Sequence, residues 1–308
     1  HTVCGYILLQ SRTNVTTKVG GDMKKVFALL FTVISTISLN AQVVESVEVE
    51  WPRKIESNKN IVSKNKLGKN QIRTATYSIL PETTPPPNRL ERWANRKTQI
   101  LHLIKDCNID IIGTQRAYSR QISQLAKLSG YSIVTNSDSI PHAILYNSSR
   151  LKQEACGFLP LTSENRYDQT PHTCTWAKFK ETDGGKTFYV FNTYLRTAEE
   201  AETLLQQTKK IAGKKPVIIT ADLFALQYKP APMVFRGKMK DSYDIALHKT
   251  GKVGTYHNFR ILKPIRRMDY IFLSPHFIVN EYDTIDEELQ TIRPGSDHLP
   301  VVVDLTIK

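Results

Sequence analysis

Hydrophobic and polar positions follow two different periods along most of this chain. Short runs in which every second residue, or every residue, is apolar predict β-strands, and stripes with a period near 3.6 residues predict helices. The predicted strands cover residues 73–80, 109–114, 142–146, 151–158, 174–180, 188–195, 217–220, 268–273 and 301–306. The predicted helices cover residues 92–107, 121–129 and 198–212.

Strands and helices that alternate over one continuous stretch suit a single large α/β domain. Antiparallel hairpins mixed with helices favour sheets that pack together and are covered by helices. We therefore predict a sandwich of β-sheets covered by helices. Residues 42–70 are polar and rich in Lys and Asn, and are predicted to be a linker.

The N-terminal region carries the pattern of an export signal. Residues 1–22 precede Met23 and are predicted to lie upstream of the true start. Two lysines, an apolar run over residues 26–39 and the small Ala41 then form the three parts of a secretory signal. The run is shorter than the roughly 20 residues of a membrane-spanning helix. We predict a signal peptide at residues 23–41, a secreted or periplasmic protein, and no transmembrane anchor in the mature chain.

Composition describes a basic protein with few cysteines. The chain has 42 Lys and Arg against 29 Asp and Glu, and removal of residues 1–41 lowers its net charge from +13 to +10. Such a charge favours phosphate-bearing partners, or is simply a solvated surface. Cys107, Cys156 and Cys174 remain, so at least one thiol is unpaired, and a bridge between Cys156 and Cys174 is left open.

The candidate chemistry is concentrated in motifs near the C-terminus. A Ser-Asp-His-Leu-Pro run precedes a Val-rich strand, so Asp297 and His298 stand side by side where that strand begins. About 30 residues upstream, an Arg-Met-Asp-Tyr-Ile-Phe strand carries Asp269. An acid beside an imidazole can orient a partner or donate to a phosphate oxygen.

Taken in order, these motifs resemble the endonuclease/exonuclease/phosphatase family of metal-dependent phosphoesterases. Four segments carry the resemblance, at residues 110–115, 254–259, 267–272 and 295–300. The resemblance spans residues 72–308. With the strand-rich middle of the chain, it implies a four-layered α/β sandwich, two packed mixed β-sheets flanked by helices, over residues 71–308. It also implies catalytic positions at Asp222, Asp269, Asp297 and His298. Its substrate-binding positions correspond to Ser78, Arg92, Arg96, Tyr194 and His257.

Several positions depart from the family pattern. The family has Asn at Ser78, a metal-binding Glu at Arg116, His at Tyr194, often Asp at Arg196, and Asn at Phe224. Arg116 places a cation where Mg²⁺ is normally held, and two unit charges about 4 Å apart repel by roughly 4 kcal/mol at an effective dielectric near 20. We expect no metal, or Mg²⁺ or Mn²⁺ held by Asp297 or Asp269 if the protein is active. Arg116 is expected to pair with Asp297, Asp269 or Asp222.

Three functions fit this sequence. The first is a catalytically impaired or inactive relative, a pseudoenzyme that binds a phosphorylated ligand in the retained cleft. The second is an active Mg²⁺-dependent phosphodiesterase or phosphatase with an atypical metal site. The third is an interaction protein that uses its basic surface. Candidate ligands are a phosphorylated small molecule, a phospholipid headgroup or a nucleic acid, and we expect a monomer.

Overall fold

Two mixed sheets lie face to face in the computed structural model, which describes residues 67–82, 92–135, 142–161, 172–259, 264–285 and 295–308. The first sheet has the strand order β10-β12-β13-β1-β2-β4-β3 and the second β5-β6-β7-β8-β11-β9. The strands are β1 (Gln71–Ser78), β2 (Ile111–Gln115), β3 (Ser132–Val134), β4 (Ala143–Tyr146), β5 (Leu151–Pro160), β6 (Thr173–Glu181), β7 (Thr187–Tyr194), β8 (Val217–Asp222), β9 (Lys240–Asp241), β10 (His248–Gly251), β11 (Asp269–Leu273), β12 (Phe277–Thr284) and β13 (Val301–Ile307).

In the described residues, four helices cover the outer faces of the sheets, and a fifth, short helix packs against the apolar cluster between them. They are α1 (Trp93–Asp106), α2 (Ser119–Ser129), α3 (Ala198–Ala212), α4 (Pro230–Arg236) and α5 (Ser242–Ile245). α2 ends at Gly130, whose left-handed φ of 80° suits a residue without a side chain. α3 begins at a capping box in which Thr197 accepts from the Glu200 N–H and Glu200 reaches back to the Thr197 N–H.

Three apolar clusters fill the spaces between the layers. One packs α1 and α2 on the first sheet, with Trp93 and Ile100 at its centre. The second lies between the sheets and includes Phe179 and Val303. The third packs α3 and α4 on the second sheet and includes Phe235. Helix, sheet, sheet and helix form four layers, which confirms the predicted sandwich.

A polar connection crosses the space between the sheets. Asn192 on β7 donates from its amide to the carbonyls of Thr114 and Ala143, both at 2.9 Å. Its side-chain oxygen accepts from Gln115 Nε2 at 2.7 Å and Thr220 Oγ1 at 3.0 Å. The buried amide therefore uses its two donors and its two acceptor sites.

Strand directions bring several chain segments to one edge of the sandwich. β1 runs parallel to β2, and β7 runs parallel to β8, so their C-terminal ends meet at corresponding edges. β11 is antiparallel to β8, and this register pairs Asp269 with Asp222. The loop before β13 reaches the same place through a bridge between Tyr256 and His298.

Most predicted elements begin or end within two residues of the observed ones. The strands β3, β9, β10 and β12 and the helices α4 and α5 were not predicted. β12 (Phe277–Thr284) escaped because Asn280, Glu281 and Asp283 interrupt its apolar alternation. Its pairing with β13 shifts register between Val279 and Glu281, which breaks the two-residue period further.

The predictions for residues 1–22 and 23–41, and for most of the linker at 42–70, fall outside the described residues. Within the described part, no helix is long and apolar enough to cross a membrane. Cys107, Cys156 and Cys174 form no disulfide with one another. A bridge between Cys156 and Cys174 does not form because the register places Cys156 opposite Ala177 and Cys174 opposite Leu159.

Candidate functional site

The site begins where β1 and β8 end. Asp222 is fully buried, and its Oδ2 accepts from the Ser78 hydroxyl at 2.8 Å. Its Oδ1 accepts from the Phe224 backbone N–H at 3.0 Å, within a turn that gives Phe224 a left-handed φ of 42°. Both oxygens of Asp222 are thus oriented by the ends of two different strands. Ser78 takes the place of an amide and serves as a donor to this acid.

Asp269 and His298 form a buried pair beside Asp222. His298 Nδ1 lies 2.7 Å from Asp269 Oδ2, and the Thr255 hydroxyl donates to the same oxygen at 2.5 Å. Ligand atoms of Asp222, Asp269 and His298 lie within 4.8 Å of one another. Three residues far apart in sequence therefore meet at one point.

Arg116 enters this group from the end of β2. Its Nη1 and Nη2 donate to Asp297 Oδ2 at 3.4 and 3.3 Å. Nη1 also lies 3.0 Å from His298 Nε2 and 3.5 Å from the Ser78 hydroxyl. The side chain is 21% exposed, and its backbone has a left-handed φ of 55°. Among the three predicted partners, Arg116 pairs with Asp297.

Opposite charges determine how the acids of this site ionise. Burial by itself would raise the pKa of Asp297, but Arg116 and His298 outweigh it and hold that pKa below its ordinary value. Burial raises the pKa of Asp269, with His298 opposing it. At neutral pH we therefore expect Asp297 to be ionised and bound to Arg116.

Two influences on His298 oppose each other. Burial favours neutral imidazole, but the carboxylates of Asp269 and Asp222 raise its pKa to about 9. Arg116 Nη1, however, can donate to Nε2 at 3.0 Å only if that nitrogen carries no proton. A neutral tautomer with its proton on Nδ1 would satisfy Asp269, His298 and Arg116 together, whereas the raised pKa favours a ring protonated on both nitrogens at neutral pH.

Tyr194, Arg196 and Phe224 form a second group next to these acids. The Arg196 guanidinium lies 5.3 Å from the centre of the Tyr194 ring and 5.2 Å from that of Phe224, and it donates to the Tyr194 hydroxyl. Phe224 also meets the Tyr256 ring edge to face at 5.6 Å. Arg196, Thr255 and Tyr256 were not predicted as site residues. The sequence signals that could have found them are the position of Arg196 two residues after Tyr194 and the position of Thr255 and Tyr256 in the segment 254–259.

A buried pair supports Arg196 from behind. Glu200 Oε2 accepts from the Arg196 backbone N–H at 2.9 Å, and Glu200 Oε1 lies 2.6 Å from His172 Nδ1. The His172 ring in turn packs edge-on against Tyr194 at 5.2 Å. The Thr-x-x-Glu pattern at residues 197–200 is a helix-capping signal, and it could have predicted the position of Glu200.

The remaining predicted positions lie outside this convergence. Arg96 is buried, and its guanidinium donates to the carbonyls of Ile79, Leu80 and Gly295. It therefore connects the end of β1 to the loop before Asp297. Arg92 is exposed at the start of α1. His257 is buried, and its Nδ1 accepts from the Phe259 N–H at 3.1 Å.

The donors at this site do not fit the divalent cation that the family implies. Mg²⁺ requires oxygen ligands in near-octahedral order. Arg116 stands at the position where the family has a metal-binding Glu. Both of its Nη atoms contact the same oxygen of Asp297, so a cation lies where a carboxylate ligand would be needed. In the described part of the chain, Asp222, Asp269 and His298 form the one cluster of potential ligands, but His298 Nδ1 and the Asp222 oxygens already have hydrogen-bond partners.

Comparison with solved structures identifies the class of this fold. An endonuclease/exonuclease/phosphatase family protein from Bacteroides thetaiotaomicron superposes with a TM-score of 0.71 at 25% identity, covering 77% of this chain and 95% of that one. A mannosyl-6-phosphatase from the same organism gives 0.68 at 25% identity over 76% and 99%. Danio rerio TDP2 with a single-stranded DNA product gives 0.58 at 16% identity over 76% and 98%, and shares the fold.

The two sheets and the converging strand ends define a phosphoesterase-type sandwich. With the ordered motifs, these matches place the chain in the endonuclease/exonuclease/phosphatase family. No family sequence model matches the chain, and no curated protein matches it.

Proposed function

We propose that this protein is a catalytically impaired member of its family that binds a phosphorylated ligand in the cleft without a metal ion. The observation that carries the proposal is the position of Arg116, with both Nη atoms on Asp297 and Nη1 beside His298. A guanidinium supplies fixed positive charge and several donors, which suit a phosphoryl group. It cannot activate water as a metal ion does.

Two further replacements weaken hydrolysis in the same direction. Tyr194 cannot carry the positive charge of an imidazole, and its hydroxyl accepts from Arg196. Phe224 provides no side-chain donor or acceptor, and loss of one oriented donor lowers a rate by about 10² to 10³. Binding thus survives in this proposal while turnover is lost.

The ligand class rests on retained chemistry and on related proteins. Arg116 and Arg196 both lie at the cleft, and the structural neighbours include a mannosyl-6-phosphatase and a TDP2 with bound DNA product. The candidates remain a phosphorylated small molecule, a phospholipid headgroup or a nucleic acid.

Reversal of the key replacement tests the proposal. Wild-type protein is expected to show no Mg²⁺ or Mn²⁺ binding by calorimetry and background hydrolysis of a generic phosphodiester. Arg116→Glu should bind Mg²⁺ because it restores a carboxylate. Adding Tyr194→His and Phe224→Asn should raise hydrolysis by about 10² or more. Arg120→Glu, at an exposed position on α2, makes the same charge change outside the cleft and should do neither.

An active enzyme is the second candidate, favoured by the cluster of Asp222, Asp269 and His298. In that case the wild-type protein would hydrolyse phosphodiesters in a metal-dependent manner, and Asp222→Ala would abolish the activity. That result would reject the impaired enzyme and establish an atypical metal site.

We also propose that the protein is exported. The support is the sequence of residues 23–41, with its two lysines and apolar run. N-terminal sequencing of the exported protein should return Gln42 as the first residue. A chain that retains residues 23–41 would contradict this proposal.

A further inference from the structure

Two replaced residues of the cleft, Tyr194 and Phe224, form one continuous surface with Arg196 and Tyr256. Arg196 lies over the rings of Tyr194 and Phe224, and Phe224 continues to Tyr256 and His298. We name Tyr194, Phe224 and Tyr256, together with Arg196, the aromatic wall. Tyr194 and Phe224 stand where the family has His and Asn, and Arg196 lies two residues after Tyr194.

Phe224 is the member that a ligand can reach. Its side chain is 40% exposed, although it follows directly on the buried strand β8. The hydrogen bond from its N–H to Asp222 fixes the turn, and the edge contact with Tyr256 fixes the ring. A large apolar ring held rigidly beside charged groups offers a flat face for stacking.

The phosphoryl position lies within reach of that face. The rings of Phe224 and His298 are 6.5 Å apart between centres, and His298 Nε2 lies 3.0 Å from Arg116 Nη1. A ligand whose oxyanion contacts Arg116 beside His298 therefore has Phe224 among the side chains next to its adjoining group. Arg196 lies over one face of the Phe224 ring at 5.2 Å, so a group that stacks on the opposite face meets a ring already paired with a cation.

We infer that the cleft selects phosphate esters in which the phosphate is attached to a ring-bearing group, with a flat face of the ring stacked on Phe224. This inference rests on the proposed binding of a phosphorylated ligand. The ring is a pyranose or a nucleobase, since both combine a flat face with polar edges. An acyclic phosphate uses Arg116 but leaves the face of Phe224 in water.

Three probes of matched charge test this selection on the full-length protein by calorimetry. They are glycerol phosphate, mannose 6-phosphate and adenosine 5′-monophosphate. At least one ring-bearing probe should bind about tenfold more tightly than glycerol phosphate, the gain expected for one stacked ring. A gain with the sugar alone identifies a pyranose ligand, and a gain with the nucleotide alone identifies a nucleobase.

Variants of Phe224 test whether the aromatic wall causes the tighter binding of the ring-bearing probes. Phe224→Ala should bring the ratio of ring to acyclic affinity close to one, and Phe224→Leu, which keeps apolar bulk without a flat ring, should lower it as well. Phe158→Ala is the matched control because Phe158 is 38% exposed on β5, the edge strand of the same sheet. It should preserve the ratio.

Each failure has a distinct signature. Equal binding of all three probes by the wild-type protein, or an unchanged ratio in both Phe224 variants, would overturn the selection while leaving phosphate binding intact. If glycerol phosphate and both ring-bearing probes give no signal, the proposed binding function fails together with this inference.

Discussion

Gly113 shows how closely single residues are fitted between the two sheets. It lies on β2, and a Cβ added there would overlap Thr220 Oγ1 and Asn192 Oδ1 of the opposite sheet. Both atoms belong to the polar connection through Asn192, so neither can move without loss of a hydrogen bond. The position therefore requires glycine because of a close approach, and not because of its backbone angle.

Gly113→Ala is expected to lower the free energy of unfolding by about 1 to 3 kcal/mol through overpacking. Urea denaturation followed by circular dichroism measures the change. Gly68→Ala serves as the control, since its added Cβ would meet only Gln71 Oε1 at an ordinary 3.4 Å. Equal stability of the two variants would show that the sheets can separate locally at β2.

α3 depends on a charged cap at its N-terminus. Burial alone would raise the pKa of Glu200, but hydrogen bonds from His172 and from the N–H groups of Arg196 and Thr197 outweigh it and lower the pKa below 4.5. A carboxylate whose pKa is lowered by folding stabilises the protein above its unfolded pKa. This contribution is lost as the pH falls through the folded pKa.

Glu200→Gln should therefore be less stable than the wild type at neutral pH, by about 2 kcal/mol for loss of charged hydrogen bonds. The difference should shrink as the pH falls below 4.5, the ordinary value for this carboxyl. Denaturant unfolding at neutral pH and near pH 3 measures both quantities, the lower pH lying under the usual range for Glu. Glu199→Gln, at an exposed neighbour, should show a smaller difference at neutral pH. If the difference in unfolding free energy between the wild type and Glu200→Gln stayed constant with pH, the charge of Glu200 would not be what stabilises the start of α3.

Across the whole molecule, strand order predicts where the fold opens first. β1, β2 and β13 lie inside the first sheet and β7 and β8 inside the second, whereas β10 lies at an edge with four exposed residues. Amides of interior strands exchange only through large openings, and those at edges exchange through local ones.

Hydrogen exchange followed by mass spectrometry should thus show peptides over β1 and β8 exchanging last and peptides over β10 exchanging first. Peptides over β3, at the other edge of the first sheet, should resemble β10. Exchange over β10 as slow as over β8 would contradict this order of opening.

Sequence periodicity predicted most of the strands because they are buried and strongly apolar, and the ordered motifs were needed to predict the layered fold. It failed for β12, where polar residues and a register shift hide the strand. For the site, sequence order predicted which motifs belong together, but no sequence pattern indicates that Arg196 lies over Phe224 or that Arg96 turns inward to backbone carbonyls. Those contacts depend on how loops from separate strands meet in space, and no repeating pattern of residues along the chain encodes that meeting.

The left-handed backbone of Arg116 and Phe224 has a consequence for laboratory evolution. With φ of 55° and 42°, both residues adopt a conformation that costs a side-chain-bearing residue about 1 to 2 kcal/mol and that glycine and asparagine tolerate. Selection for heat resistance alone should therefore enrich Gly or Asn at codon 224. At codon 116 the same exchange would leave the buried Asp297 without its ion-pair partner, so Arg should persist there. Selection for retained ligand should keep Phe at codon 224, so the residue that survives each regime at that codon separates the demands of folding from those of recognition.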